Sequence, residues 1–347
     1  MIKVAIVGTG NMAHGHANSF GKIRGCRLAA ACDVDRKRAE AFARRFKIPE
    51  VYDNVDDMLS NAEIDAVSNV TPDPHHAPVS LKVIAAGKHI LCEKPLATGY
   101  ADARKMAHAA GRKRVINMVN LSYRDSSAIQ KARQLIEQGD LGKIVHVEAR
   151  YLQSWLVSNA WGDWRASPRW LWRLSRKHGS KGVLGDLGVH IIDFATFPVG
   201  DVKSVNGRLR TFPKARGDRI GEYKLDANDS AIMTVEFSNG AIGTISTTRW
   251  ATGHLNSVKL RIYGDQGGLV VDLDESYDAL RICRGRDVNP AKWKTIRCGK
   301  TPSIYQRFIR SIKTGHNDQP DFARGAVVQK IMDACVESDK TGAAVRL

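Results

Sequence analysis

Short apolar runs alternate with amphipathic stretches over the first third of the chain. The runs fall at residues 4–7, 28–32, 66–70, 89–92 and 115–118, and helical patterning fills 36–46, 78–86 and 101–110 between them. This alternation predicts a parallel sheet covered by helices on both faces. After Tyr123 the rhythm changes. The pattern predicts a helix over 127–137 closing near Gly139, a strand over 144–151, and a helix over 186–197 reached through an irregular Trp-rich stretch. From 202 to 298 the period is two, broken by Ser238-Asn239-Gly240 and Gly264-Asp265-Gln266-Gly267, which reads as an antiparallel meander with Asn239-Gly240 as a hairpin turn. Helices near 304–313 and 322–338 close the chain. The expected class is α/β: a doubly wound parallel sheet over 1–122, then an α+β domain over 123–347 with a large, mostly antiparallel open sheet. The terminal helices are free to pack back on the first domain.

The whole-chain properties narrow the classes of function. At 347 residues there is enough chain for two domains. No apolar run nears the roughly 20 residues of a membrane span. Met1 to Val7 runs straight into Gly8, which reads as a buried strand in place of a signal peptide. The six cysteines are scattered, with no CxxC and no pairing with histidine; reduced thiols in a cytoplasmic protein without a metal site are the expectation. The net charge of +17 is dispersed and accompanies no nucleic-acid-binding signature. It suits either a solvated basic surface or attraction of anionic ligands.

The first chemistry lies in Gly8-Thr9-Gly10-Asn11-Met12-Ala13, which follows a strand and opens a helix. The first glycine permits the tight turn, the second admits a pyrophosphate close to the backbone, and the small Ala13 lets helix pack on sheet. Asn11 and Met12 open that helix, where free N–H groups attract phosphate. Asp33 ends the next strand at the spacing of a carboxylate that bonds the adenosine ribose and repels a 2′-phosphate, which favours NAD. Arg36, Lys37 and Arg38 follow at once, either as a solvated first helical turn or as partners for such a phosphate, so NADP stays open.

Thr71-Pro72-Asp73-Pro74-His75-His76 and Glu93-Lys94-Pro95 each follow a strand, at the carboxyl edge where α/β sheets bind ligands. Asp186 and His190, four apart, share a helix face. Histidine is the natural proton acceptor near neutral pH, and Asp186 suits orienting it or holding a substrate hydroxyl.

Together these segments resemble the glucose–fructose oxidoreductase, inositol dehydrogenase and rhizopine-catabolism (Gfo/Idh/MocA) family. The likeness lies in Val4-Ala5-Ile6-Val7-Gly8-Thr9-Gly10, Thr71-Pro72 with His76, Gly87 to Leu96, Trp172-Arg173 and Gly185 to Asp193. It implies a Rossmann first domain and NAD(P)-dependent hydride transfer to or from a sugar or cyclitol. By that resemblance Lys94 bonds the reacting oxygen and the nicotinamide ribose, His190 takes the hydroxyl proton, and Asp186 holds a neighbouring hydroxyl. Glu93, Thr71, Pro72 and His76 belong to the cofactor set, Trp172 and Arg173 lie near the carboxamide, and Arg124 lies near the active site. A homodimer or homotetramer follows from the resemblance as well. Asn120, Ser122 and Lys181-Gly182 depart from the family pattern.

Five of seven tryptophans, Trp155, Trp161, Trp164, Trp170 and Trp172, crowd into 18 positions, either as core or as flat walls for a sugar, with Trp155 a candidate substrate contact. Arg165, Arg169, Arg173, Arg176, Lys177 and Lys181 share the stretch, which suits an acidic substrate, a solvated loop or an oligomer contact. Two rivals to net oxidation are a sugar lyase or glycosidase that oxidises only transiently, and a non-catalytic sugar or NAD sensor.

Overall fold

The computed structural model describes residues 1–347, the side chain of Arg169 excepted. Contacts divide the chain into one unit of Met1–Ser122 with Pro302–Gln329 and another of Tyr123–Thr301 with Lys330–Leu347.

In the first unit the apolar run becomes β1 (Ile2–Val7), buried from Val4 onward. It is followed by α1 (Asn11–Gly21), β2 (Cys26–Cys32), α2 (Arg36–Phe46), β3 (Glu50–Tyr52), α3 (Val55–Asn61), β4 (Ala66–Asn69), α4 (Asp73–Ala85), β5 (His89–Cys92), α5 (Tyr100–Lys113) and β6 (Asn117–Val119). The strands lie in the order β3-β2-β1-β4-β5-β6, and every pairing is parallel. This is the doubly wound order of a dinucleotide fold, with the reversal beside β1. The three-residue β3 carries no apolar run, which is why the pattern of hydrophobic residues passes over it.

The second unit begins with α6 (Ser127–Glu137), β7 (Ile144–Gln153) and the short α7 (Pro168–Leu171). A single π turn over Leu184–Gly188 then leads into α8 (Val189–Val199). Then come β8 (Val202–Arg210), β9 (Arg219–Ile220), β10 (Tyr223–Lys224), β11 (Ser230–Phe237), β12 (Ile242–Thr248), β13 (Asn256–Gly264), β14 (Gly267–Asp272), β15 (Ala279–Arg284) and β16 (Lys294–Arg297). The chain ends with α9 (Ile304–Thr314), α10 (Phe322–Thr341) and β17 (Val345–Arg346). α9 belongs to the first unit, where Ile304, Phe308 and Ile309 join the core of Val4, Ile6 and Phe20.

The large sheet runs β16-β15-β14-β13-β7-β12-β11-β8-β17. It corrects the simple meander in one respect: β12 pairs with β7 in parallel, Ile242 opposite His146. The earlier β7 is inserted at the centre, so the later strands fall on either side of it. Alternation buries Ala231, Met233, Val235 and Phe237 of β11 and leaves Ile232 outside. α8 is apolar nearly all round and is therefore buried nearly all round, between the sheet and α6.

Candidate active site

Gly8 carries φ 85°, and a Cβ there would lie 2.6 Å from the Val70 carbonyl oxygen. Only glycine fits. Gly10 is the N-cap of α1 and supplies no side-chain cap, and no protein atom lies within 4 Å of where its Cβ would be. Ala13 N donates to the Gly10 carbonyl at 3.0 Å, and the N–H groups of Asn11 and Met12 before it suit a ligand, in a cradle that a larger residue would fill; these residues fit a dinucleotide.

Asp33 ties the second strand to that turn. Its Oδ2 accepts from Thr9 N at 2.8 Å and from Thr9 Oγ1 at 2.9 Å, while Oδ1 accepts from Asp35 N at 3.0 Å. A carboxylate has roughly four acceptor positions, so Oδ1 keeps capacity for a ribose hydroxyl. Arg38 spans Asp35 at 3.2 Å and Asp33 at 3.8 Å, an exposed guanidinium beside two acids.

The Thr71-Pro72 turn is held from beneath. Thr71 Oγ1 donates to Asn69 Oδ1 at 2.7 Å, and Pro72 opens α4. His76 corrects an expectation. It is fully buried, and its ring nitrogens face the carbonyl oxygens of Pro95 at 2.6 Å and Thr71 at 2.8 Å. Its part is to clamp the two turns together, its polar atoms being already spent on backbone.

The peptide between Lys94 and Pro95 is cis. From Leu91 to Ala97 every residue is buried except Lys94, which stands half-buried at the carboxyl end of β5. Glu93 beside it is 6% exposed. Its Oε1 meets His16 Nε2 at 2.8 Å and accepts from the Asn120 amide, and its Oε2 accepts from Lys94 N at 3.1 Å. Burial pushes the Glu93 carboxyl up, but the His16 hydrogen bond and charge, Lys94 and Asn120 outweigh it and hold it at about 2.

In the second unit Asp186 lies in the π turn, where one α-helix was expected. Asn228 accounts for the local departure: its carbonyl oxygen accepts from Val183 N at 2.8 Å and its side-chain Oδ1 from Leu184 N at 3.0 Å. Gly182, with φ 69°, has room for nothing larger, since a Cβ would sit 2.5 Å from the Asn228 side chain. The Lys181-Gly182 departure therefore has a structural use here. π turns of this kind are frequent at functional sites.

Arg249 donates to Asp186 Oδ2 at 3.1 Å and to the Arg173 carbonyl at 3.1 Å, with its guanidinium 4.9 Å from the Trp155 ring centre. The side chain is fully buried, and burial pulls its pKa down against the opposing charge of Asp186. An arginine still keeps its proton, so Asp186 faces a fixed cation. Arg173 Nε lies 4.0 Å from the same carboxylate, over the ring of Trp172. His190 is 8% exposed and meets the Tyr123 ring edge-on at 5.0 Å. Tyr123 donates to Tyr151 at 2.7 Å, and Tyr151 donates to Asn256 at 2.7 Å. Burial, then Tyr123, then the Asp186 charge push the Tyr151 phenol well up, which keeps it a neutral hydroxyl.

Two further expectations change. Trp155 is 2% exposed and packs with Leu156, Trp164, Leu171, Leu174 and Leu225, so it is core. Arg124 is 3% exposed and holds both oxygens of Asp193 at 2.6 Å under the Phe197 ring, a pin between α8 and the segment before α6. Of the basic run, Arg165 lies over Trp164 while Arg176, Lys177 and Lys181 are exposed; the Arg169 side chain is outside the described residues. His16, Arg249, Tyr123 and Tyr151 were not anticipated. His16 had a signal, a lone histidine on the apolar stripe Ala13, Ala17 and Phe20 of α1.

Comparison with known proteins gives concordant results. A family model described as an oxidoreductase family with an NAD-binding Rossmann fold matches residues 2–121, and a GFO/IDH/MocA C-terminal domain model matches 129–270. A levoglucosan dehydrogenase of Pseudarthrobacter phenanthrenivorans is 30% identical over 97% of this chain and 96% of its own. The D-glucoside 3-dehydrogenase of Escherichia coli is 27% identical over 100% and 97%. A solved levoglucosan dehydrogenase in complex with NADH and levoglucosan superposes with a TM-score of 0.87 at 27% identity, covering 99% of both chains.

Proposed function

The chain belongs to the Gfo/Idh/MocA family of oxidoreductases, and from that premise we propose that it transfers a hydride between NAD and a secondary alcohol of a sugar or cyclitol. NAD, when bound, supplies the hydride acceptor. The protein supplies position and proton handling. Gly8, Gly10, Asn11 and Met12 receive the pyrophosphate and Asp33 the ribose, with Trp172 and Arg173 serving the nicotinamide end. Lys94 and His190 handle the hydroxyl proton, and Asp186, paired with Arg249, accepts from a neighbouring hydroxyl. The observation that carries this reading is Lys94, the single accessible side chain in a buried turn on the sheet edge that also bears the glycine turn.

The substrate is a neutral ring sugar in this reading, because Arg173 and Arg249 are directed at Asp186. A uronate and a sugar phosphate form the second arm of the test, on account of exposed Arg176 and Lys177. Purified protein is mixed with NAD and a panel of sugars, polyols and their acidic counterparts while NADH absorbance is followed. Net NADH supports the dehydrogenase; transformation without it indicates transient oxidation, and binding alone a sensor. Lys94→Met and His190→Asn should each lower kcat about 100-fold or more with NAD affinity retained, the scale of a lost acid–base group. Parental turnover by both would overturn the roles.

We place the protein in the cytoplasm, since all six cysteines are free and, among the described residues, no helix is long and apolar enough to cross a membrane. We also assign a homodimer or homotetramer, with a second copy covering the sheet face that exposes Ile232 and Ile242. Sedimentation as a monomer would refute that.

A further inference from the structure

The group behind Lys94 is unusually complete for a turn that only has to reverse the chain. His16 is 0% exposed on α1, the helix that starts at the glycine turn. Its Nδ1 lies 2.8 Å from Ser68 Oγ on β4 and its Nε2 lies 2.8 Å from Glu93 Oε1. The ring edge packs against Tyr305 of α9, with centroids 5.0 Å apart. Asn120, after β6, donates to the same Glu93 oxygen, and the other oxygen takes the backbone N–H of Lys94. One carboxylate thus ties α1 and the segment after β6 to the peptide that carries Lys94, and His16 extends the tie to β4.

We propose that His16 is a positioning residue for Lys94, linking the dinucleotide helix to the proton-handling turn through Glu93. The proposal rests on the reading of Lys94 given above. Nε2 faces the Glu93 carboxylate, an acceptor, so it carries the proton there, while the Ser68 hydroxyl partners Nδ1 on the other side of the ring. A leucine of similar bulk would keep the packing against Tyr305 and remove the donor, leaving a buried carboxylate short of one partner and free to turn. A glutamine restores an N–H at the right reach.

The test compares His16→Leu, His16→Gln and Lys94→Met with the parent. Hydrogen exchange is measured on residues 90–97 of the NAD-free protein, and kcat, KM and NAD Kd are measured on the best substrate of the panel. His16→Leu should speed exchange at the Lys94 amide at least tenfold and lower kcat at least tenfold, with KM and NAD Kd within threefold. His16→Gln should return both toward the parent. Parental kcat in folded His16→Leu, unchanged exchange at 90–97, or a glutamine variant as impaired as the leucine one would each overturn the proposal. If His16→Leu does not fold, Asn120→Leu, which removes the other donor to the same oxygen, should move exchange and kcat in the same direction; no movement overturns it. Parental turnover in Lys94→Met would defeat the reading of Lys94, while the exchange result still decides whether His16 holds that turn.

Discussion

Replacing Glu93 by Gln separates the charge of this buried residue from its shape. The carboxyl is held at about 2 against an ordinary 4.5, with burial opposing and His16, Lys94 and Asn120 prevailing. A native-state pKa below the unfolded one means that folding is favoured by ionisation. The stability it contributes is fully present above about pH 4.5 and is lost as pH falls through about 2. At 1.36 kcal/mol per pH unit the drop amounts to about 3 kcal/mol at neutral pH, and integration leaves about 1 kcal/mol at pH 3. Glutamine is close in size to the protonated acid, so Glu93→Gln should cost about 3 kcal/mol at pH 7 and about 1 kcal/mol at pH 3.

Urea unfolding of parent and variant at the two pH values, followed by far-UV circular dichroism and tryptophan fluorescence together, measures the gap. Two probes are needed because a chain of two units need not unfold in one step. A cost that is the same at both pH values would mean that the hydrogen-bonding pattern stabilises and the charge does not. No cost at pH 7 would mean that desolvation cancels the partners, and the reasoning about the His16–Glu93 pair would fail.

Three other perturbations test separate parts of the site. Arg249→Met removes a buried cation from Asp186 and should raise KM and lower kcat/KM about 10- to 100-fold, beside a stability loss of about 1–3 kcal/mol, because the Arg173 carbonyl and Asp186 each lose a donor. Steady-state kinetics and a thermal melt read the two effects separately. Gly8→Ala brings a Cβ to 2.6 Å from the Val70 carbonyl in a left-handed backbone, so NAD binding measured by calorimetry should fall at least tenfold. Asp33→Asn removes the charge that repels a 2′-phosphate and releases Arg38 toward it, so the NADP-to-NAD ratio of kcat/KM should rise at least tenfold; an unchanged ratio would remove Asp33 from cofactor choice.

Where the chain was legible, local signals coincided with the tertiary result. The parallel sheet could be read because buried parallel strands are continuous apolar runs, and Asp33 because its spacing from Gly8 is set by one strand–helix–strand unit. The second sheet was legible in class but not in order: nothing in 144–153 says that eight later strands will divide on either side of it. The same limit governs the site. Arg249 reaches Asp186 across 63 residues, and its neighbour Trp250 gives no hint of a carboxylate partner. Trp155 misled for the converse reason, since a dense run of indoles marks apolar packing as readily as a sugar wall, and here the ring is buried in an apolar cluster with Trp170 and Arg249 against it. Asp186 and His190 are proposed from their spacing, yet the turn that carries Asp186 is a π turn bonded to Asn228, a residue 42 positions beyond Asp186. The proposed reactive groups were thus visible as residue types, whereas the residues that contact them or their turns, His16, Asn228 and Arg249, do so through contacts that no one-dimensional period encodes. Their substitution should accordingly disturb kcat before it disturbs the binding of NAD.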